Sequence, residues 1–161
     1  MDKIHKYHLF CSYWIATKSN DPRTQIGAVL VNDGYVLMAH NTTTPNIPIE
    51  RVIDNPDDKY YLMEHAERSV IYKAAKYGYS TKNATLYSFW AACSDCARAI
   101  VLAGITSVYR HKDLNDKTTL RWSDSTRIGD EILISGGVKI IDYEGKLNAP
   151  KILFDSETWE P

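Results

Sequence analysis

Apolar residues recur at helical spacing near the start of the chain. Ile4, Tyr7, Phe10, Cys11, Trp14 and Ile15 fall on one stripe, which predicts a helix from Ile4 to Ser19. The segment "SNDP" ends it, because Asn, Asp and Pro favour a turn. The period then changes. "QIGAVLV" and "YVLMAH" are β-rich runs around "NDG", a hairpin signal. From Asn41 to Tyr61, Thr, Pro, Asn and Asp crowd together and predict a long loop, of a length that in a compact domain is usually functional or disordered. Within it, "DNPDDK" reads as a solvated acidic run.

"LMEHAERSVIYKAAKYG" predicts a helix stopped at Gly78, and "NATLYSFW" a strand. "CSDCARAIVLAG" predicts a helix stopped at Gly104, followed by a short strand "ITSVYR". A polar loop runs through Trp122. "DSTRIGDEILISGG" is a helix with Asp124 or Ser125 as its cap, and "VKIIDYE" is a last strand. The tail to Pro161 has no clear pattern. The order αββαβαβαβ indicates an α/β layer sandwich with mostly parallel strands after the hairpin. A crossover helix between "SVYR" and "VKII" makes those two strands parallel. With 161 residues and no internal repeat, the chain suits one domain, 1–161, with a core at about 4–145 and a tail at 146–161.

Composition narrows the function. With 19 basic and 20 acidic side chains the net charge is -1, which gives no electrostatic footprint for a long nucleic acid. No apolar run approaches a membrane span, and no signal-peptide core is visible at the N-terminus. Three cysteines do not make a secreted disulfide framework, so a cytoplasmic location is expected.

Two of those cysteines carry the candidate chemistry. Cys93 and Cys96 are spaced i, i+3 at a predicted helix N-terminus, which puts both sulfurs on one face of the first turn. The helix dipole favours thiolate there. Alone, the pair fits a metal site, a redox pair or two small buried hydrophobes. "HAE", His65-Ala66-Glu67, opens the preceding helix. In an α/β sandwich the helix N-termini that follow parallel strands gather along one sheet edge, where ligands bind. One imidazole and two thiolates leave a fourth tetrahedral position for water, the open arrangement of a catalytic zinc. Glu67 would stand beside that water as a general acid–base without binding the metal.

This combination resembles the zinc-dependent cytidine and deoxycytidylate deaminase superfamily, whose signature is H-x-E … P-C-x-x-C. It stands here as "HAE" and "AACSDC". "SNDPRTQIGAVLV", "HAERSVIYKAAKYG" and "NATLYSFWAACSDCARAIVLAGITSVYR" extend the likeness from about Lys18 to Ile141. The resemblance is nearest to the deoxycytidylate branch. It implies a three-layer α/β/α sandwich around a five-stranded mixed sheet whose last two strands are parallel. It implies one catalytic Zn²⁺ held by His65, Cys93 and Cys96. It also implies deamination of dCMP to dUMP, supplying dUMP for thymidylate synthesis. Glu67 is then the proton shuttle to N3 of the base and to the leaving ammonia. The backbone N–H of Ala66 holds the pyrimidine O2, and Asn41 the sugar 3′-OH. Arg23 and Gln25 meet the 5′-phosphate, and Tyr109 to His111 wall the base or phosphate. Trp90 either stacks on the base or packs. A homo-oligomer, hexamer or dimer, is implied too.

Departures from the family pattern mark where this chain differs. Ala92 stands where the family has Pro before the first Cys. "AHNTTT" replaces the glycine segment around the sugar-binding Asn, which puts control by dCTP and dTTP in doubt. The 51–63 stretch holds no Cys or His for an extra structural zinc. "LNDKTTLRWSDSTR" looks longer than the usual connection and could form a lid or subunit contact. Away from the motifs, Cys11 reads as core, His5 and His8 as surface or helix-face residues, and His40 as a satisfied polar group. Two alternative functions are a deaminase of another base, such as a modified cytosine nucleotide or adenine in tRNA, and a catalytically silent zinc scaffold.

Overall fold

The computed structural model describes residues 1–161. The chain opens with α1 (Lys3–Ala16), capped by the Asp2 carboxylate accepting from the Lys3 N–H. A hairpin follows: β1 (Gly27–Asn32) and β2 (Tyr35–His40), with Gly34 in the left-handed region at its turn. Next come β3 (Thr42–Thr43), α2 (Glu50–Asp54), a 3-10 turn (Pro56–Asp58), α3 (Lys59–Leu62) and β4 (Met63–Glu64). The frame is completed by α4 (Ala66–Tyr77), β5 (Thr85–Ser88), α5 (Ser94–Leu102), β6 (Ser107–His111), α6 (Lys112–Asn115), α7 (Leu120–Ser135) and β7 (Lys139–Tyr143). A terminal hairpin, β8 (Ile152–Phe154) and β9 (Glu157–Trp159), closes the chain.

The main sheet has the order β2-β1-β5-β6-β7. β1 is antiparallel to both β2 and β5, whereas β5–β6 and β6–β7 are parallel. The mixed five-stranded sheet expected from the sequence is present, and its last two strands run parallel because α7 makes the crossover. α1 packs against β1, β5 and β6, while α4, α5 and α7 lie side by side. The core joins Leu30, Leu86 and Val108 of the sheet to Val70, Ile100 and Leu133 of these helices.

Several elements differ from the sequence reading. α1 buries His8, Leu9, Cys11, Ser12, Tyr13 and Ala16, so the expected stripe is rotated and Ile4, Tyr7 and Trp14 are about half exposed. The reason is close approach. A Cβ on Gly27 would lie 2.0 Å from the Ser12 carbonyl oxygen, so the small face of α1 meets β1. Cys11 is core as expected, but His8 is buried rather than on the surface. The 41–61 stretch is not one loop: the β3–β4 pairing closes it around two short helices. α4 starts at Ala66 rather than Leu62, because Met63 and Glu64 are taken by that pairing. α7 starts at Leu120 after Thr119, earlier than the Asp124 or Ser125 cap, and takes in Trp122.

The tail is part of the packed structure. Leu147, Ile152 and Phe154 join the core. A buried chain of hydrogen bonds fastens it. Trp159 Nε1 donates to Tyr13 Oη (3.3 Å), Tyr13 Oη pairs with His111 Nδ1 (2.7 Å), and His111 Nε2 meets the Gly145 carbonyl (3.0 Å). A carbonyl only accepts, so Nε2 carries the proton and Nδ1 accepts from Tyr13. Burial lowers the His111 pKa, outweighing the Gly145 hydrogen bond and the nearby Asp113 carboxylate. The unfolded chain therefore binds the proton more readily. The contribution is intact above about pH 6.5 and falls as the pH drops below it, by up to about 1.4 kcal/mol per pH unit. His8, also lowered by burial, adds with the same sign. Thermal unfolding between pH 7.5 and 5 should show a shallower decline for His111→Gln than for wild type; equal slopes would refute the assignment.

Candidate active site

The site is assembled from two helix N-termini. β4 delivers the chain to His65, the residue that precedes α4, in extended backbone (φ -74°, ψ 150°). Its imidazole makes no cap hydrogen bond to the helix. Glu64 fixes the turn, because its Oε1 accepts from the His65 N–H (2.9 Å) and from Arg68 Nε (2.6 Å). Cys93 holds the equivalent place before α5 (φ -66°, ψ 166°), and Cys96 lies in the first turn. His65 Nδ1 is 3.5 Å from Cys93 Sγ and 3.5 Å from Cys96 Sγ. The three donor atoms all lie within 4.8 Å of one another.

These spacings fit a tetrahedral zinc. Bonds of about 2.05 Å to nitrogen and 2.3 Å to sulfur imply N···S edges of about 3.6 Å. The electrostatics also fit. Among the protein groups alone, the Cys93 thiol is pulled down to about 4, chiefly by a hydrogen bond from Cys96 and then by His65. The Cys96 thiol is pushed up by that same bond and by burial. Burial disfavours charge on His65, yet the Cys93 and Glu67 partners outweigh it and raise its pKa. The donors compete for protons that a divalent cation would replace. Arg68, held by Glu64, places Nη1 3.4 Å from Cys96 Sγ and so sets a positive charge against that sulfur.

Glu67 lies in the first turn of α4, two residues after His65, and is only 4 % exposed. Its Oε2 lies 3.7 Å from Cys96 Sγ. Burial raises its pKa above that of an ordinary carboxylate.

Above the cluster is a cavity of about 250 Å³. His65, Ala66, Glu67, Ala91 and Cys93 form its floor. Tyr60, Trp90 and Trp122 wall it. The Trp122 ring is 6.0 Å from the His65 ring and 5.8 Å from Trp90, and Trp90 meets Phe154 edge-on at 5.0 Å. Asp21, Arg23, Lys59, Arg121 and Asp155 add charged groups to its lining.

A sequence model of the cytidine and deoxycytidylate deaminase zinc-binding region matches residues 2–112. The chain belongs to this family. Human deoxycytidylate deaminase (Homo sapiens) is 29% identical over 128 residues, covering 72% of this chain and 71% of its own. The deoxycytidylate deaminase of Enterobacteria phage T4 is 32% identical over 96 residues, 60% of this chain and 42% of its own. In fold, this family member is similar to the dCMP deaminase of cyanophage S-TIM5, whose structure was solved in complex with dCMP and dUMP. That likeness has a TM-score of 0.68 at 23% identity and covers 89% of this chain and 99% of the other.

The residues singled out from this deaminase-family sequence divide into two groups. His65, Ala66, Glu67, Cys93, Asn41, Arg23 and Trp90 line the cavity, and Cys96 lies just behind it. Trp90 both walls the cavity and packs, with its Nε1 donating to Thr118 Oγ1 (3.0 Å). Asn41 is committed internally. Its Oδ1 accepts from the Ile26 N–H, and its Nδ2 donates to Asp21 Oδ2 and the Thr24 carbonyl. Gln25, Tyr109 and His111 do not reach the cavity. The Gln25 amide accepts from the Leu153 N–H and anchors the tail. Tyr109 stacks on His5 at 4.4 Å in the α1 layer, and His111 belongs to the buried chain beneath the tail. Tyr109 and His111, two residues apart on β6, share the face turned to α1, whereas Gln25 lies in the loop before β1 and is turned to the tail.

Other lining residues were not legible. Lys59 and Tyr60 come from the stretch read as a loop, Thr119 precedes α7, Arg121, Trp122 and Thr126 lie on α7, and Asp155 lies in the tail. The one hint was the length of "LNDKTTLRWSDSTR", read as a lid or subunit contact, which holds Thr119, Arg121, Trp122 and Thr126. The turn at Ala92 is held by other means than proline. The Ala91 N–H donates to Asn115 Oδ1 (2.6 Å), and the Ser94 N–H to Ser125 Oγ (3.2 Å).

Proposed function

We propose that the protein is a zinc-dependent hydrolase converting dCMP and water to dUMP and ammonia, and so supplying dUMP for thymidylate synthesis. The observation that carries this reading is the buried Glu67 carboxylate beside the His65, Cys93 and Cys96 donors on the floor of an aromatic-walled cavity. The relatives' names and the dCMP and dUMP bound to the cyanophage enzyme support the choice of nucleotide.

Zinc held by His65, Cys93 and Cys96 would lower the pKa of water towards about 7 and so supply hydroxide at neutral pH. Glu67 accepts the proton of the attacking water and delivers it to N3 of the base, which makes C4 more electrophilic. Glu67 then helps protonate the amino group that leaves as ammonia. The Ala66 N–H would hold the pyrimidine O2, a role the family resemblance implies for this cavity-lining residue. Asn41 has a second lone pair on Oδ1 for the sugar 3′-OH. Arg23 stands on the phosphate side, and Trp90 and Trp122 exclude water from the base.

The whole chain, 1–161, is read as one deaminase domain, because the tail joins both the core and the cavity wall. No helix is long and apolar enough to cross a membrane. Three free thiols suit a reducing, cytoplasmic setting. A homo-oligomer, a hexamer or dimer, is the assembly that the family resemblance implies. Ammonia release by zinc-replete protein from a panel of nucleosides and nucleotides tests the function. dCMP should be the best substrate; turnover of adenine in tRNA with no cytosine nucleotide deaminated would overturn it.

A further inference from the structure

The run from Phe89 to Cys93 joins the end of β5 to the start of α5, and it is neither helix nor strand. It carries a wall of the cavity, Trp90, and a metal donor, Cys93. A proline before the donor would stiffen such a run, because it fixes its own φ and restricts the residue ahead of it. Ala92 does neither, so the restraint has to come from elsewhere in the chain.

It comes from the turn that ends α6. The hydrogen bonds made by Trp90, Ala91 and Ala92 all end there. Trp90 Nε1 donates to Thr118 Oγ1 (3.0 Å) and the Ala91 N–H to Asn115 Oδ1 (2.6 Å), while the Ala92 N–H has no partner. Asn115 uses its amide nitrogen as well. Nδ2 donates to the His111 carbonyl (2.8 Å) and to the Phe89 carbonyl (3.3 Å). Phe89 is the first residue past β5, and His111 is the last of β6. The Asn115 amide therefore fills the fork where two parallel strands deliver their chains to the cavity edge. Its orientation is fixed. Turned over, it would set N–H against the Ala91 N–H and oxygen against two carbonyls.

Asn115 and Thr118 are locked to each other, because the Thr118 N–H donates to the Asn115 carbonyl (3.0 Å). Leu114, fully buried, anchors α6 in the core. Both residues lie beyond 2–112, the part of the chain that the family model matches.

We propose that Asn115 is the positioning residue for the Cys93 metal donor, doing by hydrogen bonds what the family's proline does by ring closure, and that Thr118 on the same turn sets the Trp90 wall. Neither residue touches substrate or metal. One turn thus governs two properties, the hold on the metal and the shape of the base pocket, and mutation separates them. The inference rests on the zinc deaminase reading above.

Asn115→Ala should lose zinc to a chelator about tenfold faster or more, within the range for groups that support metal ligands. Its cobalt-substituted form should show an altered d–d spectrum; a merely structural role would lower the melting temperature and leave that spectrum as it is. Adding Ala92→Pro to Asn115→Ala should restore most of the zinc retention, since the Ala92 N–H has no hydrogen bond to lose. Thr118→Val keeps the side-chain shape without the hydroxyl, and should raise KM for dCMP several-fold with zinc release unchanged. Unchanged zinc release and cobalt spectrum in Asn115→Ala, or no recovery in the double variant, would overturn the proposal. If Asn115→Ala does not fold, the double variant decides: folded protein with wild-type zinc retention supports the assignment, and unfolded protein refutes it. A Thr118→Val variant that sheds zinc, or whose KM is unchanged, would refute the division between the two residues. Wild-type protein that takes up no zinc would instead remove the zinc reading itself.

Discussion

Glu67→Gln should abolish deamination while leaving the metal in place. The substitution is close to isosteric and neutral. Burial already raises the Glu67 pKa, so removing its charge relieves desolvation and should not unfold the chain. Glu67 is not one of the three donors that converge on a metal, so zinc content should match wild type. What is lost, on the proposed mechanism, is the group that accepts a proton from water and hands it to N3 and to the leaving amine. General acid–base groups of this kind are typically worth about 10²- to 10⁴-fold in rate, and a residue serving several transfers belongs near the upper end. Ammonia release and metal analysis on the same sample make the check. Activity within a few-fold of wild type would remove Glu67 from the reaction. Loss of zinc in parallel with activity would make its role structural.

Gly129→Ala should damage the metal loop from the far side. Gly129 lies within α7, where propensity alone would favour Ala by about 1 kcal/mol. Here the added Cβ would sit 2.2 Å from the Ala92 carbonyl oxygen and 3.3 Å from the Cys93 carbonyl carbon. Both are backbone atoms, so no rotamer change relieves the clash. Either α7 or the Ala92–Cys93 turn must move. Overpacking of this sort costs about 1–3 kcal/mol, which exceeds the propensity gain. The displaced turn carries Cys93, so the variant should melt lower and lose zinc to a chelator faster than wild type. An alanine variant that is more stable and holds zinc equally well would show that the close approach does not position the loop.

The sheet and the metal donors were legible because their signals are local. Alternating runs around "NDG" name a hairpin, and Gly78 and Gly104 stop helices in left-handed backbone at the predicted places. Helical spacing put Cys93 and Cys96 on one face, and "HAE" at a second helix N-terminus, with the family resemblance, made a metal site of them. The cavity mouth was not legible in this way. Trp122 was placed in a loop because the helix signal before Asp124 is weak, yet α7 extends back to Leu120, where it packs beside Trp90 and Tyr60. Tyr109 and His111 were placed near the substrate by their strand end alone. The side on which each points depends on the pleat and on what α1 and the tail bury.

By itself, the sequence determined the α/β architecture, the parallel pairing at the end of the sheet, the three metal donors and the carboxylate beside them. These depend on periodicity and on short fixed spacings, which act within one element or between two adjacent ones. Only the tertiary structure decided that the tail closes one wall of the cavity. It also decided that the turn lacking a proline at Ala92 is held by Asn115, Ser125 and the close approach of Gly129. Those outcomes depend on contacts between segments far apart in the chain, where packing distance and charge pairing decide and no local pattern records them.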